Sequence, residues 1–317
     1  MTGNSERAET RDHGVTGMTI GLDVVVIGGG PAGLSAAMVL GRCRRRVVVC
    51  DNAEYRNGAS RAMHGFLSRD GCDPAELRRI GRDQLRSYQT VDVRDTAVVD
   101  VTRDVKGFTV GLATGDVLHP QLVLLATGVT DAVPDLPGAN ELYGRGVFQC
   151  PYCDGFEFAD RPLVAYGRDT AAMALALELT GWSDQVLLCT DGPTEMTPVE
   201  RARLAANEIS IDQRRISRLA GDDHLRKIVF NDGSTHECDA MFFHTRQRQR
   251  SDLAARMGCK FSADGSVVTD DHEASCVPGL YIAGDSSRDV QSAIVAAAEG
   301  FEAAAAMNTV LLHNALK

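Results

Sequence analysis

The sequence predicts an α/β fold of two domains, the second inserted into the first, and three observations carry that expectation. A glycine turn, GGGPAG at 28–33, lies between an apolar run of strand length and a helix-like stretch. A second glycine turn, Gly284-Asp285, follows an apolar run near the end of the chain and precedes an alanine-rich helix. Between the two sits a block with strands and a helix of its own, and 317 residues suit two domains of about 150 residues each.

Composition narrows the function. The 44% hydrophobic and 24% charged residues match an ordinary globular chain and exclude a collagen-like, disordered or disulfide-scaffold protein. With 43 acidic against 33 basic residues, the net charge of −10 argues against a nucleic-acid or anionic-membrane binder, so small molecules are the expected partners. The first 17 residues are polar and mixed in charge, unlike a signal peptide, and no apolar stretch reaches the roughly 18 residues of a membrane span. The expectation is a cytoplasmic protein with a disordered tail. Nine cysteines are too scattered for a disulfide framework, and only Cys150 and Cys153 stand close together.

In chain order, LDVVVI at 22–27 reads as a buried strand. Gly28 allows the tight turn, Gly30 lets a pyrophosphate approach backbone N–H groups, Gly33 lets the helix pack on the strand, and Pro31 and Ala32 belong to the same cofactor-binding turn. The helix covers 34–40, and a second strand at 47–50 ends on Asp51, 23 positions after Gly28 and placed to bind ribose hydroxyls, with Asn52 beside it. Further strands fall at 98–101, 108–112 and 122–125, the last leading into Ala126-Thr127-Gly128. The inserted block has strands at 163–166, 185–189, 227–230 and 241–243 and a helix at 170–180, and the final helix covers 292–307. The expected organisation is two Rossmann-like (ββα-inserted) dinucleotide-binding domains: tail 1–20, first domain 21–132 and 250–317, inserted domain 133–249.

GGGPAG at 28–33, ATG at 126–128, CPYCDG at 150–155 and AGD at 283–285 stand in the order and spacing of the thioredoxin reductase-like FAD-dependent disulfide oxidoreductases, which the chain resembles from 23 to 307. The resemblance implies FAD on the first glycine turn, Asp285 on the ribityl-phosphate region, and the helix start at Gln291-Ser292 aimed at the flavin's pyrimidine edge. It also implies Cys153 as the flavin-facing sulfur, Cys150 as the outer sulfur that exchanges with substrate, and Asp154 as acid/base. A CxxC pair at a helix start is suited to this, because the dipole and free N–H groups stabilise the thiolate. A zinc site would need four ligands, and no second CxxC or close HxxxH completes them, so no metal is expected. The other seven cysteines read as small buried apolar residues.

The sequence departs from a reductase in the inserted domain. Where NADPH needs GxGxxA, the chain has Tyr166-Gly167-Arg168-Asp169-Thr170-Ala171, and the second strand ends in Asp191-Gly192-Pro193 rather than a basic cluster. In this it resembles the dithiol oxidases that close disulfides in gliotoxin-, holomycin- and romidepsin-type metabolites. Tyr55-Arg56-Asn57, Ser60 and Met63-His64-Gly65 also resemble the loop of those enzymes, which sets Arg56, Asn57 and His64 near the cofactor. His64 reads equally well as a solvated loop histidine. The expected partners are a small-molecule dithiol, O₂ and a second copy of the chain in a homodimer. The alternatives are a thioredoxin-disulfide reductase using NADPH or another donor, including a flavin- or ferredoxin-linked one, and a non-catalytic flavoprotein partner.

Overall fold

The computed structural model describes residues 21–105, 107–288 and 290–316, so the expected 1–20 tail lies outside the described residues. The chain opens with β1 (Leu22–Ile27), α1 (Pro31–Arg42), β2 (Val47–Asp51), α2 (Pro74–Leu85) and β3 (Val91–Asp95). The hairpin strands β4 (Val98–Asp104), β5 (Gly107–Leu112) and β6 (Val117–Leu118) follow, then β7 (Pro120–Leu125) and β8 (Val129–Thr130). The middle of the chain forms α3 (Ala139–Leu142), β9 (Val147–Phe148), α4 (Pro151–Asp154), a 3₁₀ turn (Phe156–Phe158), β10 (Leu163–Tyr166), α5 (Thr170–Leu179), β11 (Val186–Cys189) and α6 (Pro198–Ala206). It continues through β12 (Ser210–Asp212), β13 (Ile216–Ala220), β14 (Lys227–Phe230), β15 (Thr235–Glu237) and β16 (Ala240–Phe243). The last elements are β17 (Arg248–Gln249), α7 (Leu253–Arg256), β18 (Leu280–Ile282) and α8 (Ala293–Ala315).

Two parallel five-stranded sheets organise these elements. The first runs β18-β7-β1-β2-β3 and the second β12-β11-β10-β16-β9. Their strands read as continuous apolar runs because both faces are covered. In the first sheet Val24, Val26, Val47 and Val49 meet α1 and α8, while Val25, Ile27, Val48 and Cys50 meet Val101, Phe108 and Val110 of the β4–β6 layer. The second sheet repeats the scheme, with Leu163 and Ala165 against α5 and α6, and Val164 against Ile216, Leu219 and Phe230 of the β13–β15 layer. The fold is therefore α/β with two Rossmann-like layers of the same design, each carrying an antiparallel three-stranded flap. The short strands β8 and β17 pair antiparallel where the chain leaves the first sheet and returns to it.

Two expectations are corrected. The last helix extends to Ala315 and is long and apolar enough, by length and composition, to cross a membrane, against the reading that no stretch is. In the fold it packs on α1 and buries Ala296, Gly300, Ala303, Ala304, Met307 and Leu311, so its alanine richness reflects close helix packing. Among the other cysteines, Cys50, Cys189, Cys238 and Cys259 are buried, but Cys43 and Cys276 are exposed and Cys72 is intermediate. Cys43 caps the C-terminus of α1 and Cys276 lies in the turn before β18, where no sheet covers them.

A Cβ on Gly300 would lie 2.0 Å from the Ala32 carbonyl oxygen. Backbone cannot yield cheaply there, so Gly300→Ala should destabilise the fold by about 1–3 kcal/mol, read as a lower urea midpoint.

Candidate active site

The carboxyl ends of β1, β2, β7 and β18 open into a cavity of ≈ 680 Å³, lined by Gly28, Gly29, Gly30, Pro31 and Ala32 at one side and by Cys153, Asp154 and His64 at another. Gly28 has φ +116°, and a Cβ there would meet the Ala126 carbonyl oxygen at 2.2 Å. A Cβ on Gly33 would sit 1.9 Å from the Gly28 carbonyl oxygen, which explains why α1 can lie against β1. At Gly30, the N-cap of α1, no protein atom lies within 4 Å of such a Cβ, and no side chain caps the helix. An uncapped helix N-terminus facing free space is a fitting seat for a pyrophosphate. The residues present therefore fit a dinucleotide such as FAD.

Asp51 lines the cavity, but its buried carboxylate is engaged within the protein. It accepts from the Tyr55 hydroxyl, from Arg82 at 2.6 Å and from the Ala53 N–H at 3.1 Å. Burial and the hydrogen bond to Asp51 push the Tyr55 phenol up to about 12. Asn52 turns its side-chain oxygen to the Glu54 N–H, and Asn57 accepts from Arg78, whose guanidinium stacks 3.7 Å over the Tyr55 ring. Both asparagines line the cavity, as do Ala126, Thr127 and Gly128.

Arg56 joins the remaining expected residues. It donates to both oxygens of Asp131 at 2.8 and 2.7 Å, to Asp285 at 2.8 Å and to the Gln291 side-chain oxygen at 2.6 Å. Burial opposes its charge, but the Asp131 and Asp285 carboxylates outweigh that and hold the guanidinium ionised. Tyr143 adds a hydroxyl hydrogen bond to Asp131 at 2.8 Å. Gln291 also donates to Gln247, and Ser292 caps α8 by accepting from the Val295 N–H. Behind Asp285, the Gly284 N–H donates to buried Glu299 at 2.6 Å, and Arg288 bridges Glu299 and Glu273. Asp131, Tyr143, Arg82 and Glu299 carry no motif in the sequence, and only the fold brings them to the site.

Cys150 and Cys153 form a disulfide, with Cα atoms 5.3 Å apart. Cys150 is the N-cap of α4, and its carbonyl accepts from the Cys153 and Asp154 N–H groups. That helix is a single turn opening on Pro151, so the dipole expected to support the thiolate is short. Cys153 faces the cavity together with Asp154, whereas Cys150 is not among its lining residues. Burial, reinforced by the Glu157 carboxylate and opposed by His64, pushes the Asp154 carboxyl up to about 7. Its neutral and ionised forms are therefore both populated near neutral pH, which suits acid–base chemistry on thiols.

Because Gly30 faces free space, Gly30→Trp should leave the fold intact while filling the dinucleotide seat. The variant is expected to keep its thermal midpoint and to purify with less than a tenth of the wild-type flavin per chain, read from absorbance.

Residues 22–300 match the family model for the pyridine nucleotide-disulphide oxidoreductases. Thioredoxin reductase tcpT of Claviceps purpurea is 30% identical over 310 residues, covering 92% of this chain and 94% of that protein. The crystal structure of HlmI superposes with a TM-score of 0.90 at 37% identity, covering 94% of this chain and 95% of that one. An oxidoreductase from Agrobacterium tumefaciens gives a TM-score of 0.87 at 32% identity, covering 92% and 99%. With an open dinucleotide seat and a cysteine pair beside it, the chain belongs to the pyridine nucleotide-disulphide oxidoreductase family, as a thioredoxin reductase-like enzyme with FAD as its cofactor.

Proposed function

We propose that the protein is a dithiol oxidase that closes a disulfide in a small-molecule dithiol through Cys150 and Cys153, with O₂ as the final acceptor and H₂O₂ as product. The observation that carries this reading is the contrast between the two glycine turns. At the second, the position that corresponds to Gly30 carries Arg168, whose side chain donates to the Thr190 carbonyl at 2.7 Å and to the Asp191 backbone and carboxylate at the end of β11. Asp169 caps α5 by accepting from the Ala172 N–H, which sets a carboxylate at that helix start. The first turn is open; the second is occupied by its own charges. Electrons then have to enter from the thiol side.

The chain's own groups supply the rest. Asp154, as carboxylate, takes the proton of an incoming thiol, and the thiolate attacks Cys150, breaking the bond to Cys153. Attack by the second substrate thiol closes the substrate disulfide and releases Cys150. FAD, which Gly28, Gly30, Pro31, Ala32 and Asp285 of the cavity would hold, would supply the two-electron acceptor and the route to O₂.

A second reading, a thioredoxin-disulfide reductase using NADPH or another donor, is favoured by the family name and by the relatives' names. One experiment separates the two. Mixed anaerobically, a small dithiol should bleach the flavin and micromolar NADPH should not; rapid bleaching by NADPH overturns the oxidase reading.

The base form of Asp154 grows as pH rises through about 7, so dithiol-dependent O₂ uptake should rise through the same range. Asp154→Asn should abolish that rise and slow turnover by about 10²- to 10⁴-fold while keeping the flavin. Cys150→Ser leaves the Cys153 thiolate facing the cavity and should show a long-wavelength charge-transfer absorption, whereas Cys153→Ser should not.

The homodimer is also part of the proposal. Ile294, Phe301 and Leu312 of α8 are 37%, 56% and 49% exposed. At about 100° per residue they fall within roughly 20° of one another around the helix, on a face that α1 does not cover. Light scattering at micromolar concentration should give twice the chain mass, and Phe301→Glu should reduce it to the monomer.

A further inference from the structure

His64 belongs to the loop between β2 and α2, yet it meets the turn that carries the cysteine pair. The loop backbone is pinned by the Met63 N–H to the Cys72 carbonyl and the Gly71 N–H to the Met63 carbonyl, both 2.9 Å, which fixes the chain from which the imidazole projects. Each ring nitrogen faces a carboxylate: Nδ1 lies 3.6 Å from Asp70 Oδ1 and Nε2 3.4 Å from Glu157 Oε1. Glu157 stands three residues after Asp154, in the 3₁₀ turn that follows α4. Among the described residues, the carboxylates paired with His64 are Asp70 from its own loop and Glu157 from the cysteine turn, and Asp154 lines the same cavity as His64. Asp70 is fixed in turn by the Gly65 N–H at 2.8 Å.

Side-chain exposure rises along this series, from His64 at 22% to Glu157 at 37% and Asp70 at 73%, while Asp154 lines the cavity beside Cys153. The arrangement leads from the sulfur pair to water. We propose that His64 is a positioning residue that relays protons between Asp154 and solvent, using the Glu157 and Asp70 carboxylates to orient its ring. The inference deepens the proposed thiol chemistry and rests on it. Each substrate disulfide closed delivers two electrons to the cysteine pair, and the proton that Asp154 receives with each thiolate must leave before Asp154 can serve again. An imidazole suits this hand-over, because one nitrogen accepts a proton while the other releases one.

The test uses the flavin-loaded protein and two variants of similar size, His64→Gln and Glu157→Gln. An infrared titration follows the protonated carboxyl band that is missing from Asp154→Asn. His64 holds the Asp154 carboxyl down and Glu157 pushes it up. His64→Gln should therefore move its midpoint to higher pH and Glu157→Gln to lower pH. In dithiol turnover His64→Gln should lower kcat by about 10²-fold with KM and flavin content unchanged. Added imidazole should restore part of the rate. A purely structural role would not give opposite midpoint shifts or chemical rescue. Unshifted midpoints in both variants, or an unchanged kcat in His64→Gln, overturns the relay, and a colourless His64→Gln reassigns the residue to holding the cofactor. The titration needs no substrate, so a wild-type protein that oxidises no dithiol overturns the oxidase reading, while opposite shifts still support the coupling of His64 to Asp154.

Discussion

Everything at the active site depends on how closely the backbone of α1 approaches its neighbours. Gly33 sits against the Gly28 carbonyl, Gly28 against the Ala126 carbonyl, and Gly300 against the Ala32 carbonyl. In each case a Cβ would come within about 2.2 Å of a backbone oxygen, far inside van der Waals contact. These contacts fix the first turn of α1 from three directions: its own strand, the end of β7, and α8. Only in that position does the uncapped N-terminus face the cavity, and only there can the partial positive charge of the helix act on a bound phosphate. A helix displaced by a single methyl would still be a helix, but it would no longer point at the same space.

The second sheet shows that the packing requirement and the ligand requirement are separable. Gly167 keeps φ +142° and lies so close to Ala172 that a Cβ would come within 2.7 Å of it, so the turn after β10 still needs glycine for the fold. The next position is different. Gly30 in the first turn has open space above it, whereas its counterpart Arg168 spans the gap to Thr190 and Asp191. Asp191 is itself tied to the Ile216 N–H at 2.7 Å, so the arginine is anchored to the flap as well as to the strand end. The same architecture thus leaves this position bare in one copy and sets an arginine–aspartate ion pair there in the other.

These differences also set what the sequence alone could convey. GGGPAG, CPYCDG and AGD are short-range patterns in which residue type and spacing already contain the physics, and the buried strands announce themselves by unbroken apolar runs. By contrast β3, with the sequence VDVRD, is an edge strand whose charged residues face outward, and its pairing with β2 has no local signal. The partners of Arg56 lie 75, 229 and 235 positions away, so their convergence follows from topology rather than spacing. Asp51 shows a different limit. Its place at the end of β2 was legible, but its engagement by Tyr55 and Arg82 depends on side chains delivered by a loop and by α2. The exposed Cys43 and Cys276 fail the usual rule for isolated cysteines because they fall at a helix end and a turn.

Among the described residues, no buried apolar cluster is shared between the two sheets. Two of the four buried clusters are built from residues 24–125 and 253–311, and the other two from residues 136–243, so each sheet packs on its own helices and flap. Among the described residues, the contacts that span the junction include the β8–β17 ladder, the Tyr143 hydroxyl on Asp131, His64 facing Glu157, and the Arg61–Asp223 ion pair. The last of these is exposed on both sides, where such a pair contributes little and is screened by salt. Asp131 is in a different position: its side chain is 3% exposed, and it is shared between Arg56 and Tyr143. Removing either partner would leave a desolvated carboxylate short of a donor, which is far more expensive than losing a surface pair. The buried arginine that holds Asp285 thus also holds Asp131, on which the Tyr143 hydroxyl of the inserted block rests, so one guanidinium serves both the cofactor seat and a contact across the junction.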